Sequence, residues 1–211
     1  AITAQVVNVL YNVVDRMYIG HIPDIGALAL TGVGVCMPII MLITAFAALV
    51  SMGSAPRASV LMGRSDNEEA HYTLGNSFIM LIIIALVLTV FFRRFAEPIL
   101  MAFGASENTI GYAMDYMRIY TLGTIFVQFA LGLNAFITAQ GFAKISMATV
   151  VIGAVINIVL DPIFIFGFHM GVKGAALATI LSQAVSAIWV LRFLTGKKTI
   201  LKLQKKYFRL R

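Results

Sequence analysis

Apolar runs of about 20 residues recur along this chain, each long enough to cross a hydrocarbon core of about 30 Å as a helix. That recurrence leaves few folds open. Within lipid a spanning segment must satisfy its own backbone groups, and no strand-like alternation appears that would support a barrel. Only 12% of the 211 residues are charged, against about 25% in soluble domains, and the mean hydropathy is +0.93. The chain is expected to be an all-α polytopic membrane protein.

Six spans are expected, over about residues 1–22, 27–55, 72–95, 109–138, 146–168 and 172–195, with a bend at Pro38 in the second. The polar stretch "GRSDNEEAHYT" separates the second from the third, and "RRFAEPILMAFGASEN" connects the third to the fourth. Residues 1–195 thus form a six-helix transmembrane lobe, and 196–211 a basic tail. That tail holds Lys197, Lys198, Lys202, Lys205, Lys206, Arg209 and Arg211, while the residues before it carry nine basic and nine acidic side chains. Beside a span, the positive-inside rule reads such a tail as a solvated cytoplasmic segment touching anionic lipid rather than nucleic acid. Six spans then put both termini in the cytoplasm. No cleavable signal is visible, and a start at Ala1 without methionine suggests a piece of a longer protein. Cys36 is the one cysteine and cannot form an intrachain disulfide.

Polar residues within the spans carry the functional signal. Asn8, Tyr11, Asn12 and Asp15 step by three and four, so they form one stripe on the first helix. Arg16 lies about 100° round from Asp15 and is no natural partner within the helix. In "NIVLDPIFIF" Asn157 and Asp161 share a face one turn apart. Pro162 cannot donate to the Ile158 carbonyl, and it biases Asp161 away from α geometry. A carboxylate, an amide oxygen and a freed carbonyl make a nest of hard acceptors, suited to Na⁺ or a shared proton rather than zinc. Thr179, Ser182, Gln183 and Ser186 line one face of the sixth span, and Tyr116 and Asn134 share a face of the fourth at opposite ends. Charge at mid-membrane depth is expensive, which points Asp15 and Asp161 to a functional role. Ser182, Ser186 and Asn8 read as helix-packing groups.

With these residues laid out, the sequence resembles the multidrug and toxic compound extrusion (MATE) family, in its MepA-like branch. The segments that carry the resemblance are "YNVVDRMYIG" with "GALALTGVG", then "LNAFITAQGFAKISM", and most specifically "IGAVINIVLDPIFIFGFHMGVKGAALATILSQ". The resemblance implies twelve helices in two six-helix lobes around a substrate cavity, of which this chain matches the amino-terminal lobe. It implies a cation site of Asp15, Asn157, Asp161 and Thr179, supported by Tyr11, Tyr116 and Asn134. It further implies cation-coupled (H⁺ or Na⁺) antiport of amphipathic, cationic small molecules across the plasma (inner) membrane, with a second lobe as partner and no other cofactor. Arg16 departs from the family pattern, which has a small or neutral residue there. Two alternatives stand beside this reading: a lipid-linked saccharide flippase, whose cavity should be more basic, and a non-transporting scaffold subunit. No nucleophile–base pair points to an enzyme.

Overall fold

The computed structural model describes residues 2–210; Ala1 and Arg211, which the expected first span and basic tail include, lie outside the described residues. The described chain forms α1 (Ile2–Gly20), α2 (Gly26–Gly63), α3 (Asn67–Ala102), α4 (Ile110–Leu122), α5 (Thr124–Gly132), α6 (Asn134–Ala139), α7 (Ala143–Pro162) and α8 (Val172–Leu194). A π-helical turn, Ile163–Gly167, continues α7, and a 3-10 turn, Lys205–Tyr207, follows α8. No strand occurs among the described residues.

These elements make six rods in chain order, because α4, α5 and α6 follow one another with single-residue breaks. α2, α3, α7 with its π turn, and α8 are each long and apolar enough to cross a membrane, and the bent α4–α6 rod makes a fifth span. α1 takes the sixth place but falls short of that apolarity, since Gln5, Asn8, Asn12, Asp15 and Arg16 interrupt it.

Three boundaries differ from the sequence expectation. α2 and α3 run to 38 and 36 residues, and the turn between them shrinks to Arg64–Asp66. The polar residues after it are helical because Asp66 caps α3, its carboxylate accepting from the Glu69 N–H at 3.2 Å, with Glu68 and Glu69 in the favoured first turn. A helix of this length spans about 55 Å, so its polar end projects beyond the hydrocarbon. The stretch read as a connection after Arg93 is likewise helical to Ala102.

The fourth span is not straight. α4 and the α5–α6 segment meet at 59°. The break falls at Gly123, where a β-carbon would collide with the Ile180 side chain, so glycine is what lets this junction lie against α8. The bend undoes the reasoning that Tyr116 and Asn134 share one face five turns apart.

Two apolar clusters hold the lobe together. Ile19, Ile39, Phe92, Met117 and Val172 belong to one, and Leu74, Leu81, Leu133, Phe136 and Leu194 to the other. Large apolar side chains such as Leu49, Met52, Val90 and Ile188 stay exposed on the outside, as a lipid-facing surface requires.

The basic tail is not a free, solvated segment. It folds back as a strap across one end of the lobe. Gln140 Oε1 accepts from the Ile200 N–H at 2.7 Å and the Leu201 N–H at 3.0 Å, and lies 3.0 Å from Thr199 Oγ1, whose single proton it shares with Leu201 O. Leu201 is fully buried in the second cluster, and the Leu203 N–H donates to Leu194 O. Further on, Tyr207 packs edge-on to Tyr72 and Phe208 stacks on Phe78 at 4.8 Å between centroids. The Tyr207 carbonyl lies so close to Gly75 that any β-carbon there would strike it.

Candidate cation site

Only the lower part of the stripe predicted on α1 is enclosed: Tyr11 is half-buried, while Asn8 and Asn12 stay exposed, Asn12 Nδ2 donating to Asn8 O at 2.9 Å, so Asn8 is not the helix-packing group expected. Asp15 is buried on α1, and Asn157 and Asp161 are buried on α7 at 1% and 0% exposure. The Asp15 and Asp161 carboxyl groups lie next to one another, close enough for a side-chain hydrogen bond through a shared proton. Tyr11 stands near both carboxyls.

Thr179 of α8 closes the group. Asn157 Nδ2 donates to Thr179 Oγ1 at 3.3 Å, and that hydroxyl donates onward to Ala175 O at 3.0 Å. Its proton is therefore committed, and one lone pair remains, towards Tyr116. Tyr116, on α4, lies against Thr179 and near Asp15. A cavity of about 130 Å³ adjoins the group, lined among others by Asn12, Asp15, Tyr116, Thr179 and Gln183.

Four buried oxygens here have no donor: Asp15 Oδ1, Asp161 Oδ1, Asp161 Oδ2 and Asn157 Oδ1. Buried acceptors are rarely left without a partner, because each costs about 1–3 kcal/mol, more for a carboxylate. Four acceptors at one point that no donor reaches are what a proton or a hard cation satisfies. Oxygen-only ligation by carboxylates, an amide and a hydroxyl suits Na⁺ or H⁺, not a soft metal.

The helix does not break at this site but changes form just after it. Pro162 has helical φ and ψ (−64°, −32°), and Asp161 remains within α7 rather than leaving α geometry. The strain is taken up downstream. The Ile163 N–H turns to Leu160 O, and the chain widens into the π turn, closed by the Phe168 N–H donating to Ile163 O at 2.9 Å. Pro162 still offers no N–H to the Ile158 carbonyl.

Asn134 does not join the carboxyls. Its Nδ2 donates to Ser146 O at 3.2 Å, its Oδ1 has no partner, and it lines an adjoining cavity of about 300 Å³ with Thr149, Ser182 and Ser186. The two cavities share Asn8, Tyr11, Leu131 and Gln183 as walls. Arg16 is exposed at the rim of the smaller one, and Asp15 Oδ1 receives no hydrogen bond from it. Tyr120 escaped the sequence reading. It is buried, stacks on Tyr116 at 5.9 Å and lines the same cavity. Its i, i+4 spacing from Tyr116 was the available signal.

The profile of the MatE family matches residues 1–163. Multidrug export protein MepA of Staphylococcus haemolyticus (strain JCSC1435) is 32% identical over 206 residues, covering 96% of this chain and 44% of that protein. Its counterpart in Staphylococcus saprophyticus is 29% identical, covering 97% and 45%. Among solved structures, the outward-facing conformation of a multidrug resistance MATE family transporter of the MOP superfamily superposes with a TM-score of 0.90 at 28% identity, over 98% of this chain and 45% of that one. The inward-facing conformation of such a transporter gives 0.88 at 29% identity, over 95% and 45%. The chain spans about half the length of the proteins it matches. With the family profile covering most of its length and an all-helical membrane lobe to match, this chain belongs to the MatE family of membrane transporters.

Proposed function

We propose that this chain is the amino-terminal lobe of a multidrug exporter in which Asp15 and Asp161 bind the coupling cation, H⁺ or Na⁺. The observation that carries the reading is the set of four donorless buried oxygens on Asp15, Asp161 and Asn157. Thr179 Oγ1 adds a fifth oxygen, and Tyr11 and Tyr116 bound the site. Exported compounds are amphipathic and cationic. Both termini lie in the cytoplasm and the lobe in the plasma (inner) membrane on this reading, the basic tail supporting the orientation through the positive-inside rule.

The cation changes the packing of α1. This helix lies mainly on α7 and much less on α2 and α8, and its other face, with Val9, Leu10, Val13 and Met17, is exposed. Filling the acceptors between Asp15 and Asp161 removes the repulsion between the helices that carry them. α1 then seats differently on α7 and alters the wall offered to the second lobe. The near-equal likeness to outward- and inward-facing structures supports a lobe that moves largely as one body. One charge crossing 100 mV is worth about 2.3 kcal/mol, enough to shift a two-state balance by more than tenfold.

Efflux of an ethidium-like dye by the full-length transporter tests this. It should collapse in Asp15→Asn with expression retained; undiminished efflux would rule the coupling role out.

A further inference from the structure

Away from the carboxyl pair, the strap builds a second polar feature. Where α8 ends, a groove of about 370 Å³ is lined by Ile145 of α7, by Trp189, Arg192 and Phe193 of α8, and by Lys197 and Lys198. Both of its sides are held in place. Trp189 Nε1 donates to Ile145 O at 3.4 Å, and Phe193 meets Phe142 edge-on with centroids 5.2 Å apart. Lys197 and Lys198 immediately precede Thr199, Ile200 and Leu201, the residues that Gln140 Oε1 clamps.

The groove gathers three exposed cations and no acidic side chain. Three like charges repel one another, more so at the edge of a low-dielectric layer, and an anion between them relieves that cost. The carbonyl end of α8 carries a partial negative charge, so the cations and not the helix dipole supply the attraction. Position adds a second constraint. Arg192 lies in the last turn of a spanning helix, where the hydrocarbon gives way to headgroups, and tryptophan favours that depth. A ligand that fits must therefore be anionic at one end and apolar at the other.

We propose that this groove binds the phosphodiester head of an anionic phospholipid, with Arg192, Lys197 and Lys198 on the phosphate and the upper acyl carbons along Trp189 and Phe193. The site is independent of ion coupling. It turns the general affinity of a basic tail for acidic membranes into a defined position, with the Gln140 clamp as its positioning device.

Trp189 is the sole tryptophan and reports on the site directly. The 211-residue chain is reconstituted in phosphatidylcholine vesicles, and quenching of Trp189 by brominated phosphatidylglycerol is compared with quenching by brominated phosphatidylcholine. The expected preference for the anionic lipid is at least about fivefold, the effect of about one well-placed cation at an anionic surface. It should vanish in the triple variant Arg192→Gln/Lys197→Gln/Lys198→Gln. It should persist in Lys205→Gln/Lys206→Gln/Arg209→Gln, which removes the same charge elsewhere on the strap. Equal quenching by the two lipids overturns the proposal, and so does equal loss in the two triple variants, which would mean diffuse attraction only. Abolition of the preference by millimolar inorganic phosphate would assign the groove to a soluble anion and also overturn it.

Discussion

Replacing Gln140 by alanine removes a single side-chain carbonyl on which the docking of the strap converges. Two N–H donors, of Ile200 and Leu201, lose their acceptor, and the single Thr199 hydroxyl proton loses the longer of its two, at about 0.5–1.5 kcal/mol net for each full hydrogen bond. The full sum is not expected. Ile200 is exposed, so water can reach its N–H, and Thr199 Oγ1 keeps its bond to Leu201 O at 2.6 Å. The Leu201 N–H, on a residue with no exposure, has no such recourse. A cost of about 2 kcal/mol follows, or about a 30-fold rise in local opening. It stays local because the Leu201 side chain, the Leu203–Leu194 bond and the Tyr207 and Phe208 ring contacts remain. Amide hydrogen exchange of the chain in nanodiscs measures this. Residues 199–201 should exchange about 30-fold faster in Gln140→Ala, with α2 and α3 unchanged. Equal exchange at 199–201 in the two proteins would refute the clamp, and uniform acceleration throughout would show that Gln140 serves global stability instead.

Other parts of the structure yield shorter predictions. Gly123→Ala should lower the thermal midpoint by the equivalent of about 1–3 kcal/mol through overpacking against Ile180, and the same change should cost much less in an Ile180→Ala background, which removes all three atoms that the new β-carbon meets; an equal cost there would mean that it lies in the bend itself. Gly75→Val should push Tyr207 and the end of the strap off α3, so trypsin should cut after Lys205 and Lys206 markedly faster than in the parent chain; an unchanged cleavage rate would contradict the close approach. Leu201→Ala should cost about 2–4 kcal/mol, as for a fully buried leucine, and a change below 1 kcal/mol by thermal melt would show that the strap is not part of the core.

The parts of this lobe that could be read from sequence are those where a polar residue stands out in an oily run. Asp15 and the Asn157/Asp161 pair were legible because helical periodicity places each on one face and because burial of charge demands an answer. The 59° bend was not, since Gly123 looks like any packing glycine until Ile180 is seen against it. The polar ends of α2 and α3 read as loop in sequence because a polar stretch between apolar runs looks like a connection. Here a capped helix simply runs on into the aqueous layer. Charge also hid the strap. Seven basic residues masked Leu201, Tyr207 and Phe208, which dock it, and Gln140, some sixty residues earlier, gave no sign of its role. A straight fourth helix would put Asn134 on the face of Tyr116, and the 59° bend removes that alignment.

The central claim is that Asp15 and Asp161 together hold one cation. Infrared difference spectroscopy of the full-length transporter tests it most directly, following the carboxylic-acid carbonyl band as pH and Na⁺ are varied. One titrating band should appear, lost in either Asp15→Asn or Asp161→Asn because both carboxyls share it. Where Na⁺ is the coupling ion, adding it at constant pH should abolish the band. A band that survives both substitutions, or carboxylates that respond to neither ion, would contradict the account.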